Sequence, residues 1–213
     1  MPHCHTIITQ QGIRIDIWRI DETLEQLLYL WGDAQLPSNY KVVTATKRQR
    51  EIVATALLMR HRFAQDLELR HAPNGAPIID VGNISISHTA THVAIATHPS
   101  RQVGIDIETL GCRATRVATR FLSPHELEAL PLDDTEFETG HSRRGVAIHL
   151  AWSIKEAVYK VHPHAVEFRE DIILSPIVTL PTGSVEAYLP AINATSEAHY
   201  TLYDGCTLAW VVV

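Results

Sequence analysis

Two acidic residues in the middle of the chain have the spacing of a two-oxygen cation site. Asp106 and Glu108 lie two positions apart, in the run 104–108. On a β-strand such residues project from one face, while Ile105 and Ile107 point to the other. Hard cations such as Mg²⁺ combine a few carboxylates with phosphate oxygens and water, so the pair suits a phosphate-handling site. An alternating edge strand without any chemistry is the other interpretation of the same pattern.

A second group of candidates lies on a predicted helix nearer the carboxyl end. Glu156 and Lys160 stand four positions apart, so a carboxylate and a cation reach the same side of that helix. An ordinary surface ion pair would have the same spacing. However, the whole chain has only four lysines, and two of them, Lys155 and Lys160, occupy this helix. That concentration favours a site to which the helix adds a third carboxylate.

The elements that must position these residues form a repeated pattern. Helical spacing of apolar residues predicts two long helices, and alternation predicts a pair of strands after each of them, with one further strand that carries the acids. The predicted helices are 47–63 and 146–161, the strand pairs are 83–97 and 199–213, and the acid-bearing strand is 103–107. Ser123, Pro124 and Glu126 predict the start of another helix. The repetition points to a duplicated α+β unit.

Composition excludes several classes of function. Lys and Arg number 18 against 24 Asp and Glu, a net charge of −6, so a broad electrostatic grip on nucleic acid is not expected. The cysteines Cys4, Cys112 and Cys206 are too few and too scattered for a disulfide framework or a zinc site. No leader or membrane-spanning run is evident, and we expect a cytoplasmic protein. The terminus around His3 and His5 is expected to be frayed.

Taken together, four segments resemble the signature of the 4′-phosphopantetheinyl transferases. Their order and spacing make the likeness specific, and the larger, surfactin-type members are the most similar. The segments are 103–108 (VGIDIE), 152–160 (WSIKEAVYK), 120–126 (RFLSPHE) and 86–89 (ISHT). The resemblance covers about residues 47–161 and leaves the tails weakly matched.

The resemblance implies a fold and a reaction. It implies an α+β pseudo-dimer of two similar halves, residues 1–102 and 103–213, with the active cleft between them and the metal site in the second half. It also implies an Mg²⁺-dependent transfer of 4′-phosphopantetheine from coenzyme A to a serine of an acyl or peptidyl carrier protein. We expect a monomer with no nucleic-acid or membrane partner, and the carrier and its pathway stay open.

Roles are carried over to the matching positions of this chain. Asp106, Glu108 and Glu156 would ligate Mg²⁺, and Lys160 would contact the phosphate under attack, with Lys155 nearby as a second catalytic cation. The acceptor of the serine proton is either Glu156 or a water on the ion. Trp152 is interpreted as a packing residue.

Coenzyme A contacts are expected from two places in the first half, with Lys160 contributing from the second. Ser87 and His88 would contact a phosphate by resemblance, although a histidine within an alternating strand is often purely structural. Arginines and lysines at 41–62, Lys47 and Arg48 among them, suit an adenosine bisphosphate or an acidic carrier protein. A merely solvated helix face explains these residues about as well.

Two positions depart from the family pattern. Gly75-Ala76-Pro77 stands where the family usually has Gly-Lys-Pro, and Ala56 stands where an Arg often precedes paired leucines. Both family residues typically help to hold the 3′-phosphate of coenzyme A, so weak coenzyme A affinity is expected. A non-catalytic module that binds a carrier protein or nucleotide, and a metal-dependent phosphohydrolase, are the rival interpretations.

Overall fold

The protein is α+β, as the sequence predicts. The structure is a computed structural model that describes residues 3–65, 67–111, 113–131, 140–177 and 180–213. The chain divides into two compact units, Met1–Ser100 and Arg101–Val213. None of the helices within the described ranges is long and apolar enough to cross a membrane.

The first unit combines an antiparallel sheet with two helices. Its strands are β1 (His3–Ile8), β2 (Arg14–Arg19), β3 (Arg70–His71), β4 (Pro77–Ile78), β5 (Asn83–His88) and β6 (His92–His98). Its helices are α1 (Leu24–Trp31), α2 (Thr46–Phe63) and the 3₁₀ turn Ser38–Tyr40. The main sheet has the order β1-β2-β6-β5, and β3 pairs only with β4 among the described strands. Helix α2 and the β5–β6 pair confirm their predictions, and α2 buries Val53 and Leu58 in the core.

The expectation of a frayed amino terminus is wrong. Strand β1 pairs with β2 over its whole length, from His3 opposite Arg19 to Ile8 opposite Arg14. The reason is that β2 carries buried isoleucines and supplies an edge for the preceding segment. Cys4, in β1, and Cys206 are free thiols, and Cys112 lies outside the described residues.

The second unit contains a five-stranded antiparallel sheet. Its strands are β7 (Val103–Thr109), β8 (Ile173–Leu174), β9 (Thr182–Leu189), β10 (Ala194–Tyr203) and β11 (Cys206–Val212). Its helices are α3 (Arg113–Arg116), α4 (Ala118–Phe121), α5 (Pro124–Glu128), α6 (Arg143–Val161), α7 (Phe168–Asp171) and the 3₁₀ turn Pro190–Ile192. The sheet order is β7-β11-β10-β9-β8. Strand β7, helix α6 and the β10–β11 hairpin confirm their predictions.

Local sequence signals explain one helix start and one turn of the second unit. At the start of α5, Ser123 and Glu126 form a capping box with Pro124 at the first position. The hairpin turns at Asp204 and Gly205, which both adopt positive φ, 47° and 72°.

Helix α6 lies against β7 at unusually short range, and Gly104 allows this approach. A Cβ atom added to Gly104 would stand 2.0 Å from the carbonyl oxygen of Ala157, a backbone atom that has no rotamer to change. The same sheet face carries Asp106 and Glu108, two and four residues further along β7. Gly104 therefore sets how near α6 comes to both acids.

Replacing Gly104 by alanine should destabilise the second unit by roughly 3 kcal/mol, because the new methyl forces helix and strand apart. The free energy of unfolding in urea measures this. Gly111→Ala is the matched control, since a Cβ there meets no atom within 4 Å, and its effect should stay within about 0.5 kcal/mol. Equal stabilities of the two variants would contradict the close-approach argument.

Candidate functional site

The second unit brings three predicted ligands into mutual electrostatic range. Asp106 and Glu108 project from β7, and Glu156 projects from α6. Burial raises the pKa of Glu156, the charge of Asp106 raises it further, and Glu108 adds to the same effect. Burial and then Asp106 likewise raise the pKa of Glu108. We call Asp106, Glu108 and Glu156 the acidic cluster.

Lys160 is the cation that acts on both Glu108 and Glu156, and Arg113 acts on Glu108 as well. The ammonium of Lys160 donates hydrogen bonds to the backbone oxygen of Ile105 at 2.6 Å and to Oδ1 of Asp106 at 3.1 Å. Its positive charge opposes the rise in the pKa of both Glu108 and Glu156. Lys160 therefore contacts β7, and it is not simply the partner of Glu156 in a surface ion pair.

Trp152 has a second role that the sequence did not reveal. Its ring packs edge-on against Phe121, with centroids 5.0 Å apart, and also contacts Phe168, as expected for a packing residue. Trp152 also acts on the carboxylate of Glu108 and lowers the pKa of that group. Trp152 therefore lies beside one of the three acids.

Two further polar contacts fix the rotation of α6 beside β7. The hydroxyls of Ser153 and Thr207 lie 2.7 Å apart and are fully buried. One turn earlier, Nε2 of His149 lies 2.5 Å from the carbonyl oxygen of Gly111, just after β7. Burial lowers the pKa of His149, so the neutral ring can donate from this nitrogen. Neither contact was predicted, because the sequence of α6 does not indicate which residues elsewhere in the chain its polar side chains will contact.

The structure does not bring Lys155 to the acidic cluster, where the resemblance implies a second catalytic cation. Its side chain is fully buried, and its ammonium donates to the backbone oxygens of Phe121 at 2.8 Å and Phe168 at 2.9 Å. Its third donor meets Oε1 of Glu126 at 2.7 Å. All three N–H groups are thus satisfied away from the acidic cluster. Lys155, three residues after Trp152, therefore holds parts of the second unit together.

Glu126 gathers contacts from three parts of the unit. Besides Lys155, it accepts the backbone N–H of Ser123 at 2.8 Å and that of Leu174 at 3.0 Å. Its carboxylate therefore ties α6 and β8 to the start of α5.

The donor set of the acidic cluster fits a hard cation. Three carboxylates share one region with a single lysine, and carboxylate oxygen is the ligand that Mg²⁺ accepts, usually one or two at a time with water. Across the described ranges, no three His, Cys, Asp or Glu side chains stand in a ready-made ligand arrangement. The cluster thus matches Mg²⁺ in chemistry without forming a closed protein cage.

The first unit collects three of the predicted coenzyme A contacts around one carboxylate. Glu51, largely buried on α2, lies 3.0 Å from Arg48, 3.9 Å from Lys47 and 3.5 Å from Nδ1 of His88. Arg48 also contacts His88 directly. Ser87 does not join them, because it is buried on the opposite face of β5 from His88.

A pocket of about 650 Å³ adjoins these residues, within the first unit. Arg48, Ile86 and His88 are part of its lining. So are Ala56, one of the two positions where the sequence departs from the family pattern, and Gly75 and Pro77, which flank the other, Ala76. Its size suits a ligand of nucleotide dimensions.

Removing the charge of Lys155 should be costly. Lys155→Met leaves the buried Glu126 carboxylate without its cation, and we expect a loss of about 3–5 kcal/mol in the free energy of unfolding. The double variant Glu126→Gln/Lys155→Met should regain part of that loss in urea titrations. Lys47→Met, at an exposed site, is the control. A single variant as stable as the control would show that the buried pair contributes nothing.

Comparison with known proteins agrees with this geometry. No curated protein matches the chain. The model of one protein family, described as the 4′-phosphopantetheinyl transferase superfamily, matches residues 102–209, just over half of the 213 residues, and covers both β7 and α6. The chain therefore belongs to the 4′-phosphopantetheinyl transferase superfamily, a family of transferases.

Proposed function

We propose that this chain transfers 4′-phosphopantetheine from coenzyme A to a serine of an acyl or peptidyl carrier protein, with Mg²⁺. The observation that carries the proposal is the acidic cluster held against Lys160, inside the region that matches the family. A cluster of carboxylates with a lysine beside it is suited to a pyrophosphate that binds together with a divalent ion.

In the proposed reaction the serine oxygen forms a bond to the phosphorus that carries the pantetheine. The bond from that phosphorus to the bridging oxygen breaks, and adenosine 3′,5′-bisphosphate leaves with the electron pair. The serine proton passes to Glu156. Lys160, fixed by Ile105 and Asp106, places its positive charge beside the phosphate on which negative charge develops.

Asp106, Glu108 and Glu156 are the residues that would hold Mg²⁺. The bound ion would offset the charge of the pyrophosphate during the displacement. Trp152 favours the charged form of Glu108, and the Ser153–Thr207 contact keeps α6 in the rotation that presents Glu156. These contacts already restrict the acidic side chains, so that less conformational entropy is lost when a ligand binds.

The first unit supplies the nucleotide contacts in this proposal. Lys47, Arg48 and His88 surround Glu51, and Arg48 and His88 also line the adjoining pocket. Phosphate groups of coenzyme A would exchange contacts with these side chains. Ser87 is left out, since its side chain is buried on the other face of β5.

One observation favours a non-catalytic binding module as the second candidate. The family usually has cations at positions 56 and 76, whereas this chain has Ala56 in the pocket lining and Ala76 between the lining residues Gly75 and Pro77. Such a module would retain the pocket and bind a nucleotide or carrier protein without turnover.

Intact mass spectrometry of a carrier protein separates the two candidates. The chain is mixed with coenzyme A, Mg²⁺ and an apo-acyl or apo-peptidyl carrier protein. A mass gain of one phosphopantetheine, lost when EDTA removes the metal, supports the transferase. Hydrolysis of coenzyme A with an unchanged carrier would instead indicate a phosphohydrolase, and no change in either would favour the binding module.

Glu156→Gln should slow the transfer by roughly a hundredfold or more, since the neutral amide is a poor ligand for Mg²⁺ and accepts no proton. The rate of carrier mass gain measures this, and the melting temperature should barely change. Glu170→Gln, on the exposed face of α7, is the matched control with the same chemical change. Wild-type rates for the Glu156 variant would remove this residue from the site.

Ala76→Lys should tighten coenzyme A binding by roughly tenfold, because it adds a cation at the turn whose neighbours Gly75 and Pro77 line the pocket. Isothermal titration calorimetry gives the dissociation constant. Ala194→Lys adds the same charge in the other unit and should leave the affinity unchanged. If both lysines act alike, the effect is one of net charge and the turn has no special role.

A further inference from the structure

His149 is a buried histidine whose two ring nitrogens have different surroundings. The residue is 4% exposed on α6, and its Nε2 lies 2.5 Å from the backbone oxygen of Gly111. The backbone nitrogen of Gly111 lies further from Nε2, at 3.3 Å. A carbonyl oxygen only accepts hydrogen bonds, so the short contact places the proton on Nε2. Nδ1 is buried as well, and no described residue offers it a hydrogen bond.

A second proton on this ring would find no acceptor. It would bind at Nδ1 and create a charged N–H group that is buried without a hydrogen bond, which is costly. Burial lowers the pKa of His149 in agreement with this geometry, while the backbone of Gly111 raises it and the charge of His141 lowers it. The fold therefore favours the neutral form of the ring.

The charged groups on the elements around α6 do not offset this penalty. Among the described residues, His141 is the charged group that acts on the ring. The three strands and the helix that pack against α6 carry further titratable side chains within the described ranges, which are Asp106 and Glu108 on β7, Glu197, His199, Tyr200 and Tyr203 on β10, Cys206 on β11, and Arg113 and Arg116 on α3. None of these contributes to the lowered pKa of His149.

The contact with His149 fixes the chain at a point between two groups of the candidate site. Gly111 comes three residues after Glu108 and two residues before Arg113, which acts on the Glu108 carboxylate. Trp152, three residues after His149 on α6, acts on the same carboxylate. His149 thus joins the end of β7 to the helix on which Trp152 lies.

We infer that neutral His149 is a positioning residue, which holds the Glu108 end of β7 against α6, and that protonation of its ring releases this end of the strand. The inference rests on the proposed function only in its effect on transfer. A solvated histidine takes up a proton near pH 6.5. Below about this pH the released form gains a proton that the packed form refuses, so the contact is complete above it and weakens below it.

Hydrogen exchange tests the contact without any ligand. The reporter is the backbone N–H of Leu110, which donates to the backbone oxygen of Gly205 at 3.0 Å. The variant is His149→Gln, whose amide can donate to Gly111 but never becomes charged. Between pH 7.5 and 5.5, the protection of this N–H in the wild-type chain should fall by up to about tenfold relative to the variant.

Two further variants complete this test. His149→Phe keeps a ring without a donor, so the protection of Leu110 should be low at every pH. If the glutamine does not reach Gly111, the ratio of protection between wild type and His149→Phe reports the same fall. His125→Gln, at an exposed site on α5, makes the same chemical change and should follow the wild type at every pH.

The rate of carrier mass gain tests whether the contact positions the candidate site. In the wild-type chain, kcat should fall together with the protection of Leu110, by up to about tenfold relative to His149→Gln. Titration of the acidic cluster is common to both chains and cancels in this ratio. KM for coenzyme A should be the same in both, because the proposed nucleotide contacts lie in the first unit.

The outcomes separate this inference from the proposed function. A protection ratio that does not change with pH overturns the inference, whether or not a carrier is modified. A protection ratio that changes while the ratio of kcat stays constant shows that the contact affects stability alone, and overturns the positioning role. A protection ratio that changes in a chain that modifies no carrier overturns the proposed function and supports the release of β7.

Discussion

The close packing of α6 on β7 is the constraint on which the candidate site depends. The carbonyl oxygen of Ala157 fills the volume that a side chain at position 104 would need, so helix and strand meet almost backbone to backbone. This close approach brings Glu156 on the helix near Asp106 on the strand. A wider separation would leave the acids in water, where their charges would hardly affect one another.

Polar contacts then decide which face of α6 meets the strand. The buried Lys155–Glu126 pair, the Ser153–Thr207 contact and the His149–Gly111 contact join the helix to α5, β11 and the end of β7. Buried polar groups contribute less to stability than apolar packing of the same volume, but they penalise every arrangement that leaves them unpaired. In α6 these contacts hold a single rotation of the helix.

Much of the site could be predicted because it depends on local spacing. The acids of β7 lie two residues apart and Glu156 and Lys160 lie four apart, so strand and helix periodicity bring each pair to one face. The pattern could not separate Lys155 from Lys160, because the partner of Lys155 is Glu126, 29 positions earlier. The effect of Trp152 on Glu108 escaped prediction for the same reason, since these residues are distant in the chain. Strand β1 was missed because its sequence, HCHTII, does not alternate clearly between apolar and polar residues. Its pairing with β2 is visible only in the structure.

The acidic cluster and the pocket of the first unit draw on separate stretches of the chain. Every described residue that lines the pocket falls within positions 31–88, whereas the acids and Lys160 fall within 106–160. In the proposed function, side chains that would recognise the coenzyme A donor can therefore be exchanged without touching those that would act on the phosphate under attack. For a protein engineer, donor selectivity and catalytic rate would then be separately adjustable properties, and libraries confined to the pocket would leave the acids and Lys160 unchanged.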